Sequence, residues 1–313
     1  MKQITFYWNF ISFLRLLPST NGFNKLLVTT GIDGNYVTKS EVLDLLDPKV
    51  RCDPWVDYPM GVFGAVGTLI GNKMIICGGS SSEIDAITNC YVLEPYRVTE
   101  INGLQIGSFS SGYSSFNDSL FVAGGYRNSR LTRTEYITET DRKNGPEIPI
   151  EAEGQCIIQI DENEILLTGG LTNNGTISKT WFYNHQTEKW TKGPDTIESK
   201  SFHACGKFNI DGIMVLVVAG GTYITSVEFL VLNNQNWIPG PSLPFYPTDY
   251  SRIVANENQL YFIDTFQNMI LTLDCPTDLF SCNWKEMEQK LEYPRKYAIV
   301  SLIPDSLASC SFQ

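Results

Sequence analysis

The chain has 313 residues, 42% of them hydrophobic and 18% charged, with a net charge of −11. That length and apolar content suit one large folded domain with a sizeable core. So acidic a chain lacks the basic face that nucleic acid requires, and it is repelled by an anionic membrane surface.

At the N-terminus Lys2 precedes an apolar stretch, Ile4 to Leu17, interrupted by Asn9 and Arg15 and closed by Pro18-Ser19-Thr20-Asn21-Gly22. One positive charge, an apolar run and a small polar end predict a secretory signal peptide over 1–22, with 23–313 as a single domain. The competing reading is an apolar arm packed on that domain. The stretch is too short and too interrupted for a membrane-spanning helix.

From residue 24 onward the chain repeats a phrase, a short apolar run ending in two glycines. Full copies end in Gly78-Gly79, Gly124-Gly125, Gly169-Gly170 and Gly220-Gly221, with intervals of 46, 45 and 51 residues between the second glycines. A weaker copy at Leu26 to Gly31 puts Thr30 in the first glycine's place, and another at Leu260 to Thr265 has lost both glycines. A glycine pair permits positive φ and close backbone approach where a strand ends against its neighbour.

Each strong unit adds one strand before the phrase and two after it. In the fourth these are Cys156 to Ile160, Ile165 to Gly170, Lys179 to Asn184 and the Trp190 strand, separated by Asp-, Asn- and Thr-rich turns. Short β-rich runs between such turns read as antiparallel hairpins. The first unit lacks a leading strand, and Tyr293 to Leu302 supplies an unattached one after the sixth. The expected fold is therefore an all-β propeller of six blades, closed by pairing of the C-terminal strand with the first blade.

These residues resemble the kelch-repeat propellers, in which a Tyr and then a Trp follow the glycine pair. Gly169-Gly170, Tyr183 and Trp190 keep the whole pattern; Trp237, Trp284 and Trp55 hold the tryptophan place in the fifth, sixth and first units. The resemblance covers nearly all of residues 24–303 and implies that these Gly, Tyr and Trp positions serve blade packing.

Eight cysteines fit an oxidising compartment. Cys275 and Cys282 flank a six-residue insertion, and Cys77 and Cys90 fall on consecutive strands, so both pairs are disulfide candidates. Cys156 and Cys205, on leading strands of adjacent blades, read as small buried thiols; Cys52 and Cys310 are unassigned. Asn117-Asp118-Ser119 and Asn174-Gly175-Thr176 are glycosylation acceptors, Asn117 in a tight turn and Asn174 in a loop.

Chemistry is sparse. The two histidines are His185 at a turn and His203 on a leading strand, and neither belongs to a metal-ligand cluster. There is no nucleophile elbow, phosphate loop or dinucleotide fingerprint, and the carboxylates at Glu151, Glu153, Asp161, Glu162 and Glu164 read as solvated turns. No cofactor is expected. The distinctive loop is Tyr126-Arg127-Asn128-Ser129-Arg130-Leu131-Thr132-Arg133, three arginines beside a tyrosine, of the residue types enriched at interface hot spots. Tyr126, Arg127, Arg130 and Arg133 are the primary candidates for gripping a partner, with Tyr223 and Tyr36 secondary on the same rim. The opposing reading is a solvated basic loop that balances Glu135 and Glu139. The function expected is a non-catalytic, extracellular protein-binding scaffold. Alternatives are an intracellular ubiquitin-ligase adaptor of kelch type, disfavoured because such proteins usually carry a helical domain before the propeller and only about 23 residues precede the first unit here, and a sugar epimerase or mutarotase.

Overall fold

Apolar strands alternating with Asn-, Asp- and Gly-rich turns leave each repeat no option but a hairpin-connected sheet. In the first hairpin of blade 3, Asn117 and Asp118 both adopt left-handed φ, 53° and 52°. Asp211 and Gly212 do the same in blade 5, at 50° and 81°. Two such residues turn the chain through a type I′ connection whose twist matches the strands it joins. The computed structural model describes residues 22–312 apart from 83, 84, 233 and 258, and shows six sheets of four or five strands set around an axis.

Blades 2 to 6 each take four strands from one stretch of chain, ordered from the axis outward. Their inner strands are Val66–Ile70, Gly112–Phe116, Cys156–Gln159, Ala204–Ile210 and Arg252–Ala255. The second strands, Lys73–Cys77, Ser119–Ala123, Glu164–Thr168, Ile213–Ala219 and Leu260–Asp264, are the apolar runs of the repeated phrase. Sheet faces of neighbouring blades bury those runs: Phe116, Phe121, Ile157, Leu167 and Tyr183 pack between blades 3 and 4.

Blade 1 is built from both chain ends. The strand Ile299–Ile303 lies innermost and pairs antiparallel with Lys25–Thr29, with Thr29 opposite Ile299 and Lys25 opposite Ile303. The predicted closure is therefore present. Beyond it, Cys310–Phe312 adds a fifth strand outside Val50–Cys52, so the C-terminal segment holds blade 1 at its inner and outer edges. Asp305 reinforces the junction by accepting from the backbone N–H of Asn24 at 2.9 Å.

All eight cysteines form disulfides. Cys77–Cys90 and Cys275–Cys282 are the two expected pairs. Cys52, which lies opposite Cys310 in the sheet register, bonds to it and seals the ring covalently. Cys156–Cys205 corrects the reading of buried thiols: the two leading strands run side by side near the axis, close enough to be cross-linked.

The tryptophans show what the sequence blurred. Nε1 of Trp190, Trp237 and Trp284 donates to the carbonyls of Pro146, Pro194 and Pro241, each in the connection leaving the preceding blade, at 3.3, 2.9 and 2.8 Å. Trp55 does not share this place. It follows the outer strand Val50–Cys52 and donates instead to the carbonyl of Leu307, in the C-terminal segment.

Candidate functional site

The glycine pairs end the second strands on one face of the ring, and their role there is steric. A Cβ on Gly169 would lie 2.3 Å from the Lys200 carbonyl oxygen, and one on Gly124 would lie 2.7 Å from that of Ala152. Bare glycine lets the next connection close in, and the N–H groups of Gly79, Gly125 and Gly170 donate across the blade boundary to Ser108, Ala152 and Lys200 at 2.8–2.9 Å. Blade 6, lacking glycines, substitutes a side chain: the Thr265 hydroxyl donates to the Arg295 carbonyl at 2.6 Å.

On the same face, one residue at the start of each inner strand takes left-handed φ between 55° and 69°: Gly64, Ser110, Gly154, Phe202, Tyr250 and Tyr297. Backbone hydrogen bonds link successive members, from Ser110 N–H to Gly64 C=O and onward through Gly154 and Phe202 to Tyr250. Four of these residues are not glycine, and each such conformation costs about 1 kcal/mol. Their side chains form a lid. Tyr297 packs tilted against Phe63 and edge-on against Tyr250, and tilted contacts join Tyr250 to Phe202 and Phe63 to Phe109, with ring centroids 4.7–5.6 Å apart. The Tyr250 hydroxyl crosses the axis to the Ser110 hydroxyl on the opposite blade.

Around this lid the incoming connections are pinned by buried glutamates. Glu41, Glu135 and Glu228 accept backbone N–H groups of Glu292, Gln105 and Ile197 at 2.6, 2.8 and 2.6 Å. Each is matched by a cation, Arg295, Arg133 and Lys200 respectively. Burial lowers the pKa of all three cations, that of Arg295 to about 10.

The predicted arginine loop is therefore divided in function. Tyr126–Arg127 and Ser129–Arg130 form a small hairpin about Asn128. The Tyr126 ring leans on Phe109 at 5.4 Å and extends the lid. Arg130 is paired with Glu153 at 2.9 Å and donates to Asn173. Arg133 lies 2.6 Å from Glu135, nearly buried. Only Arg127 among the three arginines is exposed. Glu153, read as a solvated turn, is 8% exposed, and its pKa is raised by burial against the pull of Arg130.

Tyr36 and Tyr223 are 39% and 86% exposed on the loops of blades 1 and 5. Between and beside them stand three further exposed rings, Tyr246, Phe266 and Tyr293, in the connections of blades 5, 6 and 1 on the same face. Nothing in the sequence singles these out, because exposure of a ring beside proline or in a short turn depends on what the neighbouring blade covers. Gln267 Nε2 donates to the Tyr246 carbonyl and ties two of these loops together.

The two histidines are structural in geometry. His203 is 2% exposed, bonded to Thr168 Oγ1 at 2.7 Å, and burial pushes its pKa down to about 3. His185 meets Asn117 Nδ2 at 3.1 Å in a turn. Asn117 and Asn174 are both exposed. No cluster of metal-ligating side chains occurs among the described residues, and none of their helices is long and apolar enough to cross a membrane. The residues assigned to a signal peptide, bar Gly22, lie outside the described part.

No family model matches the chain, and no curated protein matches it in sequence. The fold has solved counterparts. The structure of a protein named YjhT superposes with a TM-score of 0.66 at 12% identity, covering 82% of this chain and 96% of that one. Likeness at that identity establishes a shared six-bladed propeller and nothing about activity.

Proposed function

We propose that this chain is a divergent kelch-type propeller that acts as an extracellular protein-binding scaffold, docking its partner on the glycine-pair face. The observation that carries the reading is the set of exposed rings Tyr36, Tyr223, Tyr246, Phe266 and Tyr293 on three adjacent blades of that one face. Aromatic rings held on a rigid frame supply large contact area at little entropic cost, which is why they dominate interface hot spots. Arg127 adds an exposed cation across the ring. The four disulfides are consistent with an oxidising compartment, and both glycosylation acceptors are on the surface.

The test compares immobilised wild type, a Tyr223→Ala/Tyr246→Ala/Phe266→Ala variant and an Arg127→Ala variant in capture from the extracellular fluid of producing cells. Loss of the same captured protein with the triple variant, at unchanged thermal stability, supports the reading. Equal capture by all three refutes the aromatic surface. Recovery of cell-made protein with Met1 retained refutes secretion.

A further inference from the structure

Beneath the aromatic lid the inner strands enclose a recess of about 250 Å³ on the propeller axis. Its charge is opposite to that of the protein. The chain carries a net −11, yet the residues lining this recess include Arg252 and Lys207 and no carboxylate. The rest of the polar lining is hydroxyls and amides, among them Ser111, Tyr113, Gln155 and Gln159.

Arg252 differs from the partly or fully buried arginines and the buried lysine on the lid face, which have acidic partners. Arg130, Arg133, Lys200 and Arg295 are each ion-paired. Arg252 forms no ion pair with a described residue, and its Nε is buried without a hydrogen-bond partner. Its guanidinium reaches over the Tyr113 ring on the opposite blade, at 5.0 Å, with Tyr250 on its other side at 5.7 Å. Two rings hold the cation on the axis and offset part of its desolvation without neutralising it.

Two further groups point to a ligand. Tyr113 Oη is buried and unpartnered. Gln155, 5% exposed, donates through Nε2 to the Ala123 carbonyl at 2.9 Å, which fixes the amide orientation and leaves Oε1 buried and without a donor. A guanidinium calls for an oxyanion, and a bare amide oxygen calls for a hydroxyl. The volume admits a molecule of a few heavy atoms and is below the usual range for drug-sized ligands.

We propose that the axial recess binds a small hydroxylated oxyanion, with Arg252 as its cationic anchor and Tyr113 and Gln155 as its neutral hydrogen-bonding partners. This site lies beneath the lid and is independent of the docking surface on the outer loops.

The experiment is calorimetric titration of the full chain at constant ionic strength with L-tartrate, sulfate and phosphate, using erythritol as the uncharged control. Saturable one-to-one binding of tartrate, with weaker binding of the inorganic anions and none of erythritol, is expected. Arg252→Gln weakens tartrate binding about tenfold or more, Arg252→Lys retains part of it, and Tyr113→Phe, which removes one oxygen atom, lowers it severalfold. Should Arg252→Gln fail to fold, the Tyr113→Phe and Arg252→Lys titrations decide the matter. The inference is overturned by absence of binding for all three anions, by erythritol binding as well as tartrate, or by affinity unchanged in the folded variants. The last outcome would mark adventitious ion binding at the surface only.

Discussion

Replacing Cys52 and Cys310 together by serine tests whether the ring is held shut by its ends. The two cysteines are 258 residues apart, so their bond removes far more freedom from the unfolded chain than the others do. On the chain-entropy relation, a loop of that length is worth about 5.6 kcal/mol, and the 7-residue loop of Cys275–Cys282 is worth about 2.4 kcal/mol. The serine pair at 52 and 310 keeps the backbone register of Cys310–Phe312 against Val50–Cys52, and the inner strand Ile299–Ile303 still closes blade 1. The expected product is a folded propeller whose thermal midpoint falls by about 10 °C, against about 5 °C for the Cys275→Ser/Cys282→Ser control, at about 2 °C per kcal/mol for a chain of this size. Calorimetry reads the midpoints, and hydrogen exchange reads early opening confined to the amides of Ser311 and Phe312. If the two double variants lose equal stability, the closing bond is not what constrains the unfolded chain and the reasoning fails.

Three other outcomes follow from the geometry. Gly169→Ala places a Cβ against the Lys200 carbonyl, whereas Gly34→Ala, at a similar φ of 66°, meets nothing within 4 Å; denaturant titration should show a loss of about 3 kcal/mol or more for the first and about 1 kcal/mol for the second. Glu135→Ala strands a nearly buried Arg133 and the N–H of Gln105 and should cost about 3–5 kcal/mol, while Arg127→Ala, on an exposed side chain, should cost less than about 0.5 kcal/mol. His203 remains neutral in the folded chain down to about pH 3, but the unfolded chain takes up its proton near pH 6.5. Its contribution is therefore full above pH 6.5 and is lost as the pH falls toward 3, by about 1.4 kcal/mol per pH unit. Thermal midpoints measured from pH 7 to pH 4 should fall more steeply for wild type than for His203→Gln, and parallel curves would refute the assignment.

The architecture was readable because it is written in local terms. A period near 46 residues, glycine pairs and hairpin turns each act within one blade, and the orphan strand near residue 299 had one place to go. The candidate site was only half readable. Tyr36 and Tyr223 are where the sequence placed them, on the exposed rim, but Arg130 and Arg133 proved to be committed to Glu153 and Glu135. An arginine in a loop looks the same in sequence whether its partner is solvent or a carboxylate on the neighbouring strand or connection. The same limit hid Cys156–Cys205, whose partners are neighbours only because two leading strands meet at the axis.

By itself, then, the sequence determined the number of blades, the position of each glycine pair and the joining of tail to head, since repeats and hydrophobic periodicity are local physics. Tertiary structure decided which charges are spent on internal pairs and which remain, because pairing depends on distances between blades. Arg252 is the clearest instance: an unremarkable residue in the chain, it becomes a cation on the axis with no acidic partner among the described residues only when six inner strands converge around it.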